Sequence, residues 1–148
     1  MSDTVSLEVD RPAATAGETI LIVDDNAAFR DMTEMALSSL GYTVTTCSSS
    51  EVALHAAATT PELQLLITDV VMTKMNGVEL AAEIHRIRPE MKVLFCSGYP
   101  AATLARQGLD LTGGDFLMKP ASLASLASKV AALMALPNAD PDPRNLSL

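Results

Sequence analysis

The order of apolar runs and helix-period segments constrains this chain more than any single motif. Five short runs, TILIV (Thr19 to Val23), YTVTTC (Tyr42 to Cys47), LQLLIT (Leu63 to Thr68), MKVLFC (Met91 to Cys96) and DFLM (Asp115 to Met118), alternate with stretches whose apolar residues recur at helical spacing. That alternation predicts five strands joined by helical crossovers. Strands of near-continuous apolar character belong to a parallel sheet covered on both faces. Right-handed crossovers then give a flavodoxin-like α/β fold, a doubly wound five-stranded parallel sheet of order 2-1-3-4-5 with five helices.

The helical segments have recognisable ends. Phe29, Met32, Met35, Ala36 and Leu40 supply the apolar positions of the first, which Gly41 closes. A second runs through the Ala-rich stretch to Ala58, with Ser48 and Glu51 forming a capping box or Ser49 or Ser50 as the cap. Val78, Ala81, Ile84 and Ile87, stopped by Pro89, make a third. Leu123, Leu126, Val130 and Leu133, after a Ser122 cap, make the fifth. The fourth, near Ala101 to Gln107, lies among Gly98, Gly108, Gly113 and Gly114 and is where mobility is expected.

At 148 residues the chain fits one domain, expected over 19–136, with polar tails at 1–18 and 137–148. The C-terminal dozen residues are too few for an output domain. With a net charge of −8 there is no cationic footprint for nucleic acid. Neither a membrane span nor a signal peptide is recognisable, so a cytoplasmic protein is expected. Cys47 and Cys96 end apolar runs with no ligand partner nearby and read as buried, reduced thiols. His55 and His85 read as surface or packing residues.

In an open parallel sheet, ligands bind beyond the carboxyl ends of the strands. There the sequence sets Asp24 and Asp25 after the first strand, Asp69 after the third, Ser97 after the fourth and Lys119 after the fifth. Three carboxylates held together repel one another, and a divalent cation resolves the conflict. Mg²⁺ is the favoured ion, because it takes hard oxygen ligands, keeps several waters and typically uses one or two carboxylates plus phosphate oxygens, with Mn²⁺ as an alternative. Either Asp24 or Asp25 can also serve as a helix cap.

The series LIVDDN, LLITDVVMTKMNG, VLFCSGY and FLMKP resembles, in order and approximate spacing, the receiver domain of two-component response regulators (CheY-like) across residues 18 to 136. The SGY and its spacing to MKP resemble receivers attached to hybrid histidine kinases. The resemblance implies that Asp69 accepts a phosphoryl group from a sensor histidine kinase or a histidine phosphotransfer protein. It implies that Asp25, Asp69 and the Val71 backbone carbonyl bind Mg²⁺, with Asp24 acting through water. Lys119 and Ser97 would contact the phosphoryl oxygens, and Phe116 would turn inward as the switch residue. The surface of helix 4, strand 5 and helix 5 would control a downstream protein, the chain acting as a signalling switch rather than an enzyme, as a monomer or weak homodimer.

Val71, Gly98 and Tyr99 stand where the family modulates the lifetime of the phosphoryl group. Apolar Val71 offers nothing to orient an attacking water, so slow self-dephosphorylation is expected. Thr73 and Lys74 depart from the family pattern and imply a looser loop after Asp69. Ala121 replaces the usual Phe after Lys-Pro, which leaves packing under the last helix open, and the Lys119-Pro120 bond is commonly cis in the family. Two other functions compete. A phosphorylation-independent receiver-like interaction module would not need the acidic and basic set. An aspartyl-phosphate hydrolase needs a second Asp two residues after the nucleophile, where Val71 stands, and DDNAAFR has no glycine for a nucleotide-binding loop.

Overall fold

The computed structural model describes residues 18–136, and the two expected tails lie outside that range apart from Glu18. Strands β1 (Thr19–Val23), β2 (Thr43–Cys47), β3 (Leu63–Asp69), β4 (Lys92–Ser97) and β5 (Asp115–Met118) form one parallel sheet of order β2-β1-β3-β4-β5. Helices α1 (Ala27–Ser39), α2 (Ser50–Thr59), α3 (Gly77–Ile87), α4 (Ala101–Arg106) and α5 (Leu123–Ala135) make the crossovers. The fold and strand order are those read from the alternation.

The sheet divides the core into two layers. Leu21, Val23, Leu66, Val93 and Phe95 face α2, α3 and Leu104 of α4. Ile20, Ile22, Leu65, Ile67, Leu94 and Cys96 face α1 and α5. Central β1 is buried along its whole length, whereas edge strand β2 alternates exposed and covered residues. Both cysteines are free and buried. His55 is exposed, and His85 Nε2 lies 2.8 Å from the Met91 carbonyl.

Several expected core positions are displaced. On α1 the buried residues are Thr33 and Leu37, with Phe29 and Leu40 packed beside them, while Met32 and Met35 are exposed. The inward stripe is therefore rotated by about one residue, and a Thr methyl occupies a place that apolarity assigned to Met32. Ile87, the last residue of α3, and Leu123, the first of α5, are likewise exposed, and Leu80 joins Ala81 and Ile84 on the buried face of α3. Ser49, with its side chain accepting from the Val52 amide, is the cap of α2, and Ser122 caps α5 as expected.

Two devices absent from the sequence reading fasten the chain at the opposite ends of the sheet. Arg88, just past α3, donates to the carbonyls of Ala57, Thr60, Pro61 and Leu63 and pairs with Glu90, joining the end of α2 to the start of β3. Its guanidinium satisfies carbonyls that a helix C-terminus leaves unpaired. The loop after Asp69 is tied down: Ser50 Oγ donates to the Met75 carbonyl at 2.9 Å, the Gly77 amide to the Val70 carbonyl at 2.8 Å, and Asn76 with Glu79 forms a reciprocal capping box. Lys74 adopts a left-handed backbone, φ 65°, and its ammonium sits 3.5 Å from Glu51. The loop that Thr73 and Lys74 were expected to loosen is thus anchored to α2 and α3.

Candidate functional site

Strand ends bring the polar residues together. Asp24 follows β1 and is completely buried, its Oδ1 accepting from the Asn26 amide at 2.9 Å. Asp25, next to it, is exposed at the mouth of the site. Asp69 ends β3, and ligand oxygens of Asp24, Asp25 and Asp69 all lie within 4.8 Å of one another. Lys119, one residue past β5, reaches across the sheet edge to put Nζ 2.6 Å from Asp24 Oδ2 and 3.5 Å from Asp69 Oδ2. Its backbone amide donates to the Ser97 carbonyl at 2.7 Å, and the Lys119-Pro120 bond is cis.

Burial pushes the Asp69 carboxyl above the usual carboxylate range. Lys119 opposes the shift, Asp24 adds to it, and the Val70 and Val71 amides that hydrogen-bond to the carboxyl pull it back. An all-oxygen set of three clustered carboxylates suits a hard divalent ion such as Mg²⁺ and offers nothing to a soft metal.

The other expected residues take three positions. Ser97 ends β4 fully buried, one residue beyond the Asp69 partner Cys96, and its Oγ accepts from the Tyr99 amide at 3.0 Å. Val71, Gly98 and Tyr99 line the exposed rim, with Val71 46% exposed and open space around the Gly98 α-carbon. Phe116 lies apart from the acidic cluster, half-buried against the core beneath α3 and α4.

Two residues of the site escaped the sequence reading. Gly77 opens α3 against the backbone of Asp69, so that a β-carbon there would stand 2.0 Å from the Asp69 carbonyl oxygen. The dipeptide Asn76-Gly77 before an apolar periodic run was the available signal, a cap followed by a first-turn glycine. Phe29, read as core, holds its ring 4.2 Å from Lys119 Nζ. Periodicity could not have revealed that, because it assigns a face and not a neighbour.

Residues 20–131 match the family model described as the response regulator receiver domain. The chain is 36% identical over 117 residues to the sensor kinase CckA of Brucella abortus, a match covering 78% of this chain and 12% of that protein. It is 28% identical over 137 residues to the alkaline phosphatase synthesis transcriptional regulatory protein SphR of Synechococcus elongatus, covering 87% of this chain and 53% of SphR. Against the response regulator receiver protein CpdR of B. abortus it is 30% identical over 115 residues, covering 78% of this chain and 95% of CpdR. The chain thus spans only part of CckA and SphR but nearly all of CpdR. A CheY-like receiver domain structure from Methanospirillum hungatei superposes with a TM-score of 0.71 at 29% identity, over 79% of this chain and 93% of that one. Among the described residues no helix is long and apolar enough to cross a membrane. With its parallel sheet, its acidic pocket at the carboxyl edge and these relatives, the chain belongs to the response regulator receiver domain family.

Proposed function

We propose that Asp69 is the phosphoacceptor of a signalling switch. The observation that carries this reading is the Lys119 ammonium held between the carboxylates of Asp24 and Asp69 at the carboxyl edge of the sheet. An Asp69 oxygen attacks the phosphorus of a partner's phosphohistidine. With the second ring nitrogen of the phosphohistidine protonated, the O–P bond forms as the N–P bond breaks, and the ring departs as neutral imidazole. Asp25, Asp69 and the Val71 carbonyl would hold Mg²⁺, or Mn²⁺ in its place, with Asp24 acting through water, and the ion would neutralise charge on the transferred oxygens.

The chain's own groups do the rest. Lys119 offers a compact cation to the phosphoryl oxygens. Ser97 Oγ accepts from the Tyr99 amide, and a hydroxyl that accepts can still donate its hydrogen to a phosphoryl oxygen. Phosphorylation adds about −1.5 to −2 charges. Pulling Ser97 and Lys119 toward them favours a state in which Phe116 turns further inward and the face of α4, β5 and α5 changes shape. A shift from 1:99 to 99:1 needs about 5.5 kcal/mol of differential interaction, within reach of a few charge-assisted contacts. Apolar Val71, exposed on the rim, offers no group to orient an attacking water, so the phosphoryl group is lost slowly. The partners are a sensor histidine kinase or a histidine phosphotransfer protein upstream and a protein target downstream. The setting is cytoplasmic, and the chain acts as a monomer or weak homodimer.

Intact mass after incubation with Mg²⁺ and a small-molecule phosphodonor tests this reading. Gain of one phosphoryl group, absent in Asp69→Asn and with a chelator, is expected. A folded wild-type chain that gains none, either from an active donor or from phosphorylated histidine kinases, would instead support the phosphorylation-independent module. Hydrolase activity has no support at position 71, where a general acid would have to stand.

A further inference from the structure

The charges of the site leave one of Lys119's neighbours unexplained. Its ammonium has three N–H donors and no acceptor. Two carboxylates take part of that capacity, at 2.6 Å and 3.5 Å, and the face of the Phe29 ring covers another side with its centroid 4.2 Å from Nζ. The negative face of an aromatic ring attracts a cation within about 6 Å. The ring is also fixed to the same short run of chain as the carboxylate. The Asn26 side chain accepts from the Phe29 amide at 3.0 Å, the Asn26 amide donates to Asp24 Oδ1 at 2.9 Å, and the Arg30 guanidinium donates to the Asp24 carbonyl at 2.7 Å. The first turn of α1 therefore places the Asp24 carboxylate and the Phe29 ring around one ammonium.

Packing alone would be served as well by Leu or Met, since Phe29 is only half-buried and borders a narrow cavity of about 20 Å³ with Met32, Thr33 and Ala121. A ring does something that a second carboxylate could not. It restrains the ammonium and keeps water off it, yet adds no charge that competes with a phosphoryl group for it. The ammonium can then travel from Asp24 toward Asp69 across the ring face without breaking an additional ion pair.

We propose that Phe29 is a positioning residue for phosphoryl transfer, which holds the Lys119 ammonium partly dehydrated and within reach of Asp69. This rests on the reading of Asp69 as phosphoacceptor.

The full chain serves as the sample, in wild-type form and as Phe29→Leu, Phe29→Tyr, Lys119→Met and the double variant Phe29→Leu/Lys119→Met. In proton NMR without phosphodonor, the Lys119 side-chain methylenes of wild type and Phe29→Tyr are expected upfield through the ring current, and that displacement is lost in Phe29→Leu. With Mg²⁺ and a small-molecule phosphodonor, Phe29→Leu is expected to gain its phosphoryl group about two- to thirtyfold more slowly, the range set by a cation–π contact. Phe29→Tyr should restore the rate, and Phe29→Leu should have no further effect once Lys119 is Met. Normal methylene shifts in wild type, a Phe29→Leu rate equal to wild type, or an equal slowing in the Lys119→Met background would each overturn the proposal. The last outcome would make Phe29 a packing residue only. A wild-type chain that shows the upfield methylenes but is never phosphorylated would sink the phosphoacceptor reading, and Phe29's part in transfer with it, while leaving the contact standing.

Discussion

The α-carbon of Gly77 sits against the Asp69 carbonyl so closely that any β-carbon would lie 2.0 Å from the oxygen. The first turn of α3 thereby seats the backbone of Asp69, with the Gly77 amide on the Val70 carbonyl at 2.8 Å. Gly77→Ala must push either the helix or the end of β3 aside. We expect a loss of about 2–3 kcal/mol in urea unfolding, the upper range for overpacking, together with weaker Mg²⁺ binding. A variant as stable as wild type would show that the helix start moves freely.

Arg88 gathers four backbone carbonyls at the junction of α2 and β3. Arg88→Ala leaves them without their donor and is expected to lower stability by about 2–3 kcal/mol. Arg88→Lys should recover less than half of that, because one ammonium cannot reproduce a planar fork of donors. Equal stability of the Lys variant and wild type in denaturant titration would mean that charge, not geometry, holds the junction.

Asp69 carries the pH prediction. Burial raises its carboxyl above the ordinary value of 3.8 in the folded chain. The native state therefore keeps a proton that the unfolded state has given up, and stability falls as pH rises from the ordinary carboxylate range through the raised one. Without divalent ions, Asp69→Asn should unfold at higher temperature than wild type at neutral pH. The difference should shrink toward zero below the ordinary range, where both side chains are uncharged. An advantage of Asn that persists unchanged in acid would rule out ionisation as its cause.

Ala121 borders the cavity of about 20 Å³ between α1, β5 and α5. Ala121→Val adds methyl groups toward that space and is expected to raise stability by about 0.5 kcal/mol, as cavity filling commonly does. A fall in the melting temperature would show that the space is shaped for the Phe29 and Leu126 side chains rather than left unfilled.

The Cys96 thiol, buried behind Lys119, is pushed up to about 12, chiefly by burial. Little thiolate exists at neutral pH, and Cys96 should resist alkylation in the native chain while reacting fully in denaturant. Modification of Cys96 at the denatured rate, followed by peptide mass, would show that the β4 core opens readily.

Much of this molecule is legible in its sequence. Alternating apolar runs are a local property of the chain, and parallel strands with right-handed crossovers leave few ways to arrange them, so the strand order and the meeting of Asp24, Asp25, Asp69, Ser97 and Lys119 at one edge followed from position alone. The face of each helix was less secure. Met32 and Met35 were read as core because apolarity was the criterion, whereas Thr33 is buried because burial depends on which way α1 is rotated on the sheet. Neither the Arg88 clamp nor the seat of Gly77 on Asp69 could be read, since each joins groups distant in sequence through backbone atoms that carry no residue identity.

The sequence by itself determined which chemical groups arrive at the carboxyl edge, because strand ends are set by local pattern and the topology does the rest. Only the tertiary structure decided how those groups share one ammonium. Whether Lys119 lies on Asp24, toward Asp69 or over Phe29 depends on distances of a few ångströms between side chains from three elements, and attraction between charges and π faces changes over just such distances.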